Sequence, residues 1–372
     1  MNPWGRRLRF AVLVALADLA LFNLYQIIHS PNPWPDFAFF YAFAKAGLSN
    51  GYQHVYEPAV QQGAIQSLFP GAPYYPVVNP PPFGWLLTPL TFLPYPLALW
   101  IWTLAMIASL ALAALLLSPP GVYWRVLYSG LWLAFLPAYL VFVSAPLAPL
   151  LVLSLALTWK LIREERQVAA GLVLAVALLK PTVLILVPFA LLAAGYTRVF
   201  VAWLAAAAAL VIASLVSLGP SGLSAYVSIA SEFASRPYFL RWSLAPILGE
   251  GGWVVAVVFI ALMTPWLARR VRAQGPEAVI AVGVMGSFLI NHHMTPGDLM
   301  VLLVPVWLLL RDRQSRRRDA LLGVAWTGAW LSLIFPIAGI AVAAVTPIVL
   351  FARSVFRRSA PTGAPEMALS GR

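Results

Sequence analysis

The stretch LALWIWTLAMIASLALAALLL (97–117) decides the fold class. It contains no charged residue, and a helix of about 20 apolar residues spans the hydrocarbon core of a bilayer. The whole chain is similar in character, with 62% hydrophobic and only 10% charged residues. It lacks the alternating pattern of a membrane β-barrel, and helices satisfy their own backbone hydrogen bonds in lipid. We therefore predict an all-α, polytopic transmembrane bundle.

About twelve apolar segments are predicted to cross the membrane. They are 8–28, 97–117, 121–142, 146–160, 168–180, 182–195, 199–218, 253–268, 276–290, 299–310, 320–335 and 337–352. The first follows three arginines and precedes no small-residue cleavage site, which indicates a retained anchor. The membrane domain is predicted to occupy 1–358, followed by a disordered cytoplasmic tail, 359–372. The chain has no cysteine, which excludes disulfides, cysteine metal sites and thiol nucleophiles.

Basic residues are unevenly distributed across this predicted topology. With a cytoplasmic amino terminus, twenty of the 24 Lys and Arg residues fall on cytoplasmic segments. The outer side keeps Lys45, Lys180, Arg236 and Arg241. This positive-inside pattern predicts an inner (plasma) membrane protein with both termini in the cytoplasm. The net charge of +12 therefore indicates topology, and the basic run 311–318 is expected to face lipid headgroups rather than nucleic acid.

The segment 168–195 is too short for two straight spans. Its two apolar halves flank a Lys-Pro-Thr break at 180–182, and each is shorter than the roughly twenty residues that a span needs. Two short helices that dip to a shared break beside a cavity fit this pattern. One long kinked helix is the alternative, but it would place the basic clusters 269–272 and 311–318 outside, against the positive-inside pattern.

The residues suited to chemistry lie on the predicted outer side. Its segments are the loops 29–96 and 219–252 and the turn NHHMTPGD (291–298), whereas the cytoplasmic loops are short and basic. Within the first loop, 36–49 and 58–69 are predicted to form interfacial helices. The first of these helices places five apolar residues at helical spacing: Phe37, Phe40, Tyr41, Ala44 and Leu48. We expect any active site at the outer membrane interface.

Asp36 and Lys180 are the ionisable residues with the most demanding predicted positions. An ionisable group at the edge of a bilayer or within it is by default a functional-site hypothesis. Asp36 has an alternative role as the cap of a helix beginning at Phe37. Lys180 has an alternative role as a snorkelling residue. Because no acid lies near Lys180 in sequence, an anionic ligand explains it more economically.

Four motifs in this order resemble glycosyltransferase family 87. They are DFAFFYAFAKAGLSNGYQHVY (36–56), NPPPFGWLLTPLTFLPYPLALWIW (79–102), GLVLAVALLKPT (171–182) and NHHMTPGDLMVLLVP (291–305). The resemblance implies a membrane enzyme of the GT-C type that uses a polyprenyl-phosphate sugar, as mannosyl- and arabinofuranosyltransferases do. At 144–149 the chain departs from the family pattern, because SAPLAP replaces a turn with a polar amide. Asn291 likewise replaces an acidic residue beside the paired histidines.

The resemblance implies an inverting transfer at the outer face to a glycolipid or cell-envelope glycan. Asp36 would be the general base that takes the proton of the acceptor hydroxyl. The leaving lipid phosphate needs positive charge or hydrogen-bond donors, and no cofactor or metal is expected. The candidates for phosphate binding are Lys180, His292, His293, Arg236 and Arg241. The candidates for acceptor or sugar binding are Tyr41, His54, Glu57, Tyr238 and Trp242.

Several of these residues have structural alternatives. His292 and His293 diverge by about 100° on a helix and share one site only in a turn. With Asp298 they also suggest a metal site, although the spacing gives it little support. His54 and Glu57 are equally suited to bonding a loop. The aromatic residues near Arg241 are equally suited to anchoring in the membrane interface, and Asp18 in the first span is expected to face the bundle.

A transporter or flippase of lipid-linked sugars is the main alternative function. Such a protein is expected to line the midplane with polar groups around an inverted repeat. Here the polar groups cluster on the predicted outer side and no repeat is visible. A glycan polymerase or ligase would share the donor chemistry and differ in the acceptor.

Overall fold

The computed structural model describes residues 35–133, 135–234, 236 and 243–310. These residues form thirteen α-helices and no strand. The helices are α1 (Asp36–Asn50), α2 (Pro58–Leu68), α3 (Pro81–Leu87), α4 (Tyr95–Leu117), α5 (Val122–Leu133), α6 (Leu140–Val143), α7 (Ala148–Arg163), α8 (Gln167–Leu174), α9 (Val187–Ala193), α10 (Thr197–Ala234), α11 (Ala245–Val271), α12 (Pro276–Ile290) and α13 (Leu303–Leu310). The intervening 3-10 turns are Thr88–Phe92, Leu136–Tyr139, Ala175–Leu179, Pro181–Val183, Arg272–Gln274 and Pro296–Leu302. The all-α prediction is confirmed for this part of the chain.

Three helices are long and apolar enough to cross a membrane. They are α4, α10, and α11 together with its 3-10 turn. Shorter apolar helices occupy Gln167–Leu179, Pro276–Ile290 and Pro296–Leu310. The predicted segments 8–28, 320–335 and 337–352, the tail 359–372, the basic run 311–318 and Asp18 lie outside the described residues. A bundle of twelve helices therefore stays a prediction.

Prolines and glycines set several helix boundaries. α2, α3 and α12 each begin with proline, which has no backbone N–H to leave unpaired in a first turn. Gly219 has φ 62° and interrupts α10, so that the predicted span 199–218 ends at a kink. Much of the predicted outer loop 219–252 is helical, since α10 continues past Gly219 to Ala234 and α11 begins at Ala245, and its side of the membrane stays a prediction.

The segment 167–195, here called the Lys180 hairpin, consists of two helical arms. The start of the first arm and the end of the second lie at the same end of the bundle. α8 and its 3-10 turn lead to Lys180, whose φ of −148° and ψ of 75° interrupt the helix. Arg163, just before the hairpin, lies 3.7 Å from Glu277. Burial raises the pKa of the Tyr196 hydroxyl just after it, and Glu277 raises it further. A continuous helix from Arg163 to Tyr196 would separate these two residues by about 50 Å.

Both arms of the Lys180 hairpin pack on the same part of α10. A Cβ at Gly171 would lie 2.3 Å from the carbonyl oxygen of Val199. In the returning arm, the ring of Phe189 lies 5.6 Å from Phe200 and 5.9 Å from Trp203. The prediction of two short helices meeting at a shared break is therefore confirmed, and the single kinked helix is excluded.

A second, smaller hydrophobic core lies beyond the main core of the bundle. It includes Val55, Tyr56 and Ile65 from the first loop and Leu218 and Ile229 from α10. α1 lies between the two cores. Phe37, Tyr41 and Ala44 face the main core, whereas Ala38, Phe39, Ala42 and Phe43 face the smaller one.

The first loop is folded and contains helices near 36–49 and 58–69, as predicted. The prediction of a single apolar stripe on the first of these helices, α1, was wrong in detail. Leu48, predicted to be part of the stripe, is 49% exposed, whereas Phe43 on the other face is 1% exposed. The cause is the smaller core, which buries a second face of α1. This burial fixes the position of Asp36 at the start of the helix.

Candidate active site

Asp36 is the first residue of α1, and its carboxylate is not a helix cap. The residue in the N-cap position is Pro35, and no side-chain capping bond is present. The amide of Ala38 donates to the carbonyl of Pro35, 2.8 Å away. An acidic side chain in the first turn still interacts favourably with the helix dipole. The capping alternative is therefore wrong, and within the described residues the carboxylate of Asp36 accepts no hydrogen bond.

Burial governs the protonation of Asp36. The residue keeps some exposed surface, yet neighbouring protein atoms displace much of the water around its carboxyl group. Burial raises its pKa from 3.8 to about 6, with the charge of Lys180 lowering it and that of Asp298 raising it. At this pKa the carboxyl group of Asp36 is mainly ionised at pH 7. A general base is most effective when its pKa lies near the working pH, and the pKa of Asp36 approaches that condition.

Lys180 forms an ion pair with Asp298. Its ammonium donates to Oδ1 at 2.6 Å and to Oδ2 at 2.8 Å. Asp298 is 2% exposed, whereas the side chain of Lys180 is 25% exposed. No acid lies near Lys180 in sequence, and its acidic partner comes from a position 118 residues further along the chain.

The turn before α13 fixes the carboxylate of Asp298. Thr295 donates to Oδ2 from its backbone nitrogen at 2.9 Å and from its hydroxyl at 3.1 Å. The amide of Asp298 in turn donates to the carbonyl oxygen of Thr295 at 2.9 Å. The side chain of Thr295 also accepts from the amide of Asp298, and this bond together with that from the Thr295 amide to the Asp298 carboxylate makes a capping box at the start of the 3-10 turn. Asp298 is therefore held in one orientation before Lys180 reaches it.

The SAPLAP turn (144–149) lies between Asp36 and Asp298. The carbonyl oxygen of Ser144 accepts a hydrogen bond from the amide of Phe37, 3.3 Å away. Pro146 packs against Gly297, where an added Cβ would lie 3.1 Å from the proline Cβ. Ala145 has φ 48°, and its carbonyl accepts a bond from the indole nitrogen of Trp102 at 2.9 Å. The turn thus connects the two acidic residues through backbone groups and packing.

Asn79 holds the tip of the Lys180 hairpin from the other side. Its side-chain nitrogen donates to the carbonyl oxygen of Leu179 at 3.0 Å. The hydroxyl of Tyr56 donates to the carbonyl of Asn79 at 2.5 Å. The NPPP segment therefore connects the smaller core to the residue before Lys180. The sequence analysis missed this role of Asn79.

The paired histidines lie in a turn after α12, and their rings are 4.4 Å apart. Nε2 of His293 donates to the carbonyl oxygen of Ala234 at 2.8 Å, and the ring of His292 lies 4.3 Å from Trp253. Burial lowers the pKa of both histidines, and their mutual repulsion lowers that of His292 further. They are therefore hydrogen-bonding groups rather than charges at neutral pH. Their described contacts are with α10 and α11, not with Lys180.

The other predicted site residues that the structure describes bond to groups of the chain itself. His54 and Glu57 bond to each other, with 2.6 Å between Nδ1 and Oε1. Tyr41 is 3% exposed and its hydroxyl donates to the carbonyl of Leu93 at 2.8 Å. Arg236 pairs with Glu232 at 2.6 Å. Arg241, Tyr238 and Trp242 lie outside the described residues. The roles of these residues in binding stay predictions.

No group of three His, Asp or Glu residues in the described ranges is arranged to hold a metal ion. Asp298, which the metal alternative combined with the paired histidines, instead bonds to Lys180 and Thr295. The arrangement therefore consists of an ion pair, Lys180 with Asp298, whose two charges act on the carboxyl group of Asp36.

An all-α protein with apolar helices, a broken hairpin and a carboxylate under the influence of a lysine–aspartate pair fits a membrane-embedded transferase. The chain belongs to glycosyltransferase family 87, whose family model matches residues 78–291, more than half of the 372 residues. The protein is therefore an enzyme, a glycosyltransferase, and the resemblance seen in the motifs is confirmed. The match includes Asn79 and Lys180, whereas Asp36 and Asp298 lie beyond its two ends. Searches among curated proteins and solved structures found no match.

Proposed function

We propose that this enzyme transfers a sugar from a polyprenyl-phosphate donor to an acceptor hydroxyl, with inversion at the anomeric carbon. The sugar is of the mannose or arabinofuranose class, and the acceptor is a glycolipid or a cell-envelope glycan. The observation that carries this proposal is the meeting of Asp36 with the Lys180–Asp298 pair at the tip of a hairpin. Three distant parts of the chain converge there, where a folding role alone would not require a free carboxylate.

Asp36 acts as the general base. The acceptor oxygen forms a bond to the anomeric carbon while its proton moves to Asp36, and the bond from that carbon to the phosphate oxygen breaks. The polyprenyl phosphate leaves with the bonding electron pair. A carboxylate whose pKa is about 6 is ionised at neutral pH and still basic enough to assist this transfer.

Lys180 is the first candidate for contact with the donor phosphate. Its ammonium is partly exposed and its charge acts on Asp36, so that it is available to a donor phosphate that gains negative charge near the base. The paired histidines would contribute hydrogen bonds rather than charge. Arg236 and Arg241 are proposed to contact the phosphate or lipid further from the base. His54, Glu57, Tyr41, Tyr238 and Trp242 are proposed to shape the acceptor side.

The proposed site faces the outer side of the plasma membrane, with both termini in the cytoplasm. The distribution of charge supports this orientation. At the opposite end of the bundle from Asp36, Arg163 approaches Glu277, and four further arginines lie at helix ends near it: Arg198, Arg269, Arg270 and Arg272. A basic end opposite the site is expected when that end is cytoplasmic.

The test is transfer of labelled sugar from a panel of polyprenyl-phosphate donors in membranes that contain wild type or Asp36→Asn at matched expression. We expect transfer from one donor class and its loss in the variant. Glu164→Gln is the control, because Glu164 is exposed and pairs with Lys160 away from the site. Transfer by Asp36→Asn at the wild-type rate would remove Asp36 from the mechanism. No transfer from any donor would contradict the proposed donor class.

A further inference from the structure

Asp36 and Asp298 are two carboxylates that could each pair with the single cation Lys180. The charge of one ammonium acts on two carboxylates, yet its hydrogen bonds go to Asp298 through both oxygens. Within the described residues, no hydrogen bond joins Lys180 to Asp36. A lysine side chain has four carbons and several rotamers, so that nothing in its own chemistry favours one carboxylate over the other.

We propose that Asp298 is a positioning residue that keeps Lys180 bonded to itself and thereby leaves the carboxylate of Asp36 free to act. This inference rests on the proposed role of Asp36 as base. Without Asp298, the ammonium would pair with Asp36 and occupy the oxygen that must receive the acceptor proton. With Asp298, Lys180 acts on the base by its charge alone, and one of its three N–H groups remains for the donor phosphate.

The surroundings of Asp298 fit a positioning role. Its two bonds from Thr295 fix the carboxylate independently of Lys180, so that it is preorganised as the receiving group. Pro146 packs against the adjacent Gly297 and prevents the turn from shifting freely. On the other side, the bond from Asn79 to the carbonyl of Leu179 fixes the backbone from which the lysine side chain extends.

Asp36 is less well placed than Asp298 to bind the ammonium of Lys180. Its carboxylate accepts no hydrogen bond in the described part of the chain, and it stands at the first position of α1. Asp298, by contrast, has two fixed donors of its own and only 2% exposure. A buried carboxylate without a cation is strongly disfavoured, which directs Lys180 to Asp298 rather than to the more exposed Asp36.

Protonation of Asp36 offers a direct readout of this arrangement. Asp298 raises the pKa of Asp36 and Lys180 lowers it, so that loss of the Asp298 charge lowers that pKa. Pairing of the released Lys180 with Asp36 lowers it further. Among the described residues, the other titratable groups close to the first turns of α1 are Tyr41 and Tyr95, whose phenols are neutral in this pH range.

The test is an infrared pH titration of the carboxylic acid band of Asp36 in the full-length protein in lipid nanodiscs, with Asp36→Asn identifying the band. In wild type we expect half-protonation near pH 6. In Asp298→Asn we expect a decrease of about one pH unit or more. Glu164→Gln should titrate as wild type. An unchanged or higher midpoint in folded Asp298→Asn would overturn the proposal.

A second variant covers the case in which Asp298→Asn does not fold. Thr295→Val removes one of the two bonds that orient Asp298 and keeps its charge. We expect a smaller decrease in the Asp36 midpoint, and no decrease would contradict the positioning role. Because the titration needs no substrate, it tests this inference even where the donor panel fails. With an active donor, the acid limb of the transfer rate in Asp298→Asn should move to lower pH, whereas a purely structural defect would leave that limb in place.

Discussion

The ammonium of Lys180 lies 2.6 Å from Oδ1 of Asp298, although 118 residues separate the two along the chain. The pair joins the tip of a hairpin to the turn before α13, and Asp36 lies within reach of both charges. This relationship links the fold to the proposed chemistry. Irregular backbone in a membrane hairpin is tolerated where it lines a cavity, and here the break carries the lysine whose charge acts on the proposed base, Asp36.

Replacing Lys180 by Met tests the electrostatic link to Asp36. Removal of the ammonium raises the pKa of Asp36 above 6, because the lysine charge lowers it. We therefore expect the acid limb of the transfer rate to move to higher pH and kcat to fall about 100-fold. The measurement is the pH dependence of transfer.

Lys180→Met leaves Asp298 buried without its cation, so the double variant with Asp298→Asn serves as the control for folding. Both proteins should be compared at equal amounts of monodisperse material. If the acid limb of the transfer rate in Lys180→Met stayed at the same pH as in wild type, this result would show that Lys180 does not act on the base.

Replacing Asn79 by Ala tests whether the position of the hairpin tip matters. The variant loses the bond to the carbonyl of Leu179, at a cost of about 1 kcal/mol in unfolding free energy. We expect a larger loss of transfer than this stability change explains. Gln66→Ala is a matched control, because it loses an amide bond to the carbonyl of Ala72 away from the tip. Equal activity in the two variants would argue against a role for Asn79.

Replacing Ala145 by Gly tests the strain in the SAPLAP turn. Ala145 has φ 48°, a conformation that costs an alanine about 1 kcal/mol more than a glycine. We expect Ala145→Gly to raise the thermal unfolding temperature, since the strain outweighs the greater chain entropy of glycine here. Ala113→Gly, inside α4, should lower it. A lower unfolding temperature for Ala145→Gly would contradict this account of the turn.

Replacing Gly171 by Ala tests the packing of the Lys180 hairpin. The added Cβ would lie 2.3 Å from the carbonyl oxygen of Val199 and 2.7 Å from the Cβ of Ala202, so that α8 must move away from α10. We expect a loss of thermal stability together with a loss of transfer. Gly63→Ala in α2, where nothing lies within 4 Å of the new Cβ, should preserve both. Equal stability in both variants would show that the arm is not tightly packed.

The sequence predicted the features that depend on local composition. An uncharged stretch such as 97–117 predicted α4, and the Lys-Pro-Thr break predicted the hairpin because each half was too short to span alone. Asp36 and Lys180 were identified because ionisable residues are costly near lipid. These inferences needed only neighbouring residues.

The sequence did not predict features that depend on distant contacts. The pairing of Lys180 with Asp298 gives no local signal, since a carboxylate that closes a capping box looks like an ordinary helix start. The burial of a second face of α1 depends on α10 continuing beyond Gly219, which no residue near α1 in sequence indicates. The ring of Tyr226, in that continuation, lies 4.8 Å from Tyr56 in the smaller core.

The most direct test of the central claim is the pH dependence of sugar transfer by the wild-type enzyme and by Asp36→Asn in lipid nanodiscs. The pKa of Asp36 is raised, so ionised base is lost as the pH falls through about 6. We predict a rate that is constant above that pH and falls about tenfold per unit below it, with no such limb in the residual rate of the variant. A wild-type rate that is flat between pH 5 and 7, or the same limb in Asp36→Asn, would contradict the assignment of Asp36 as general base.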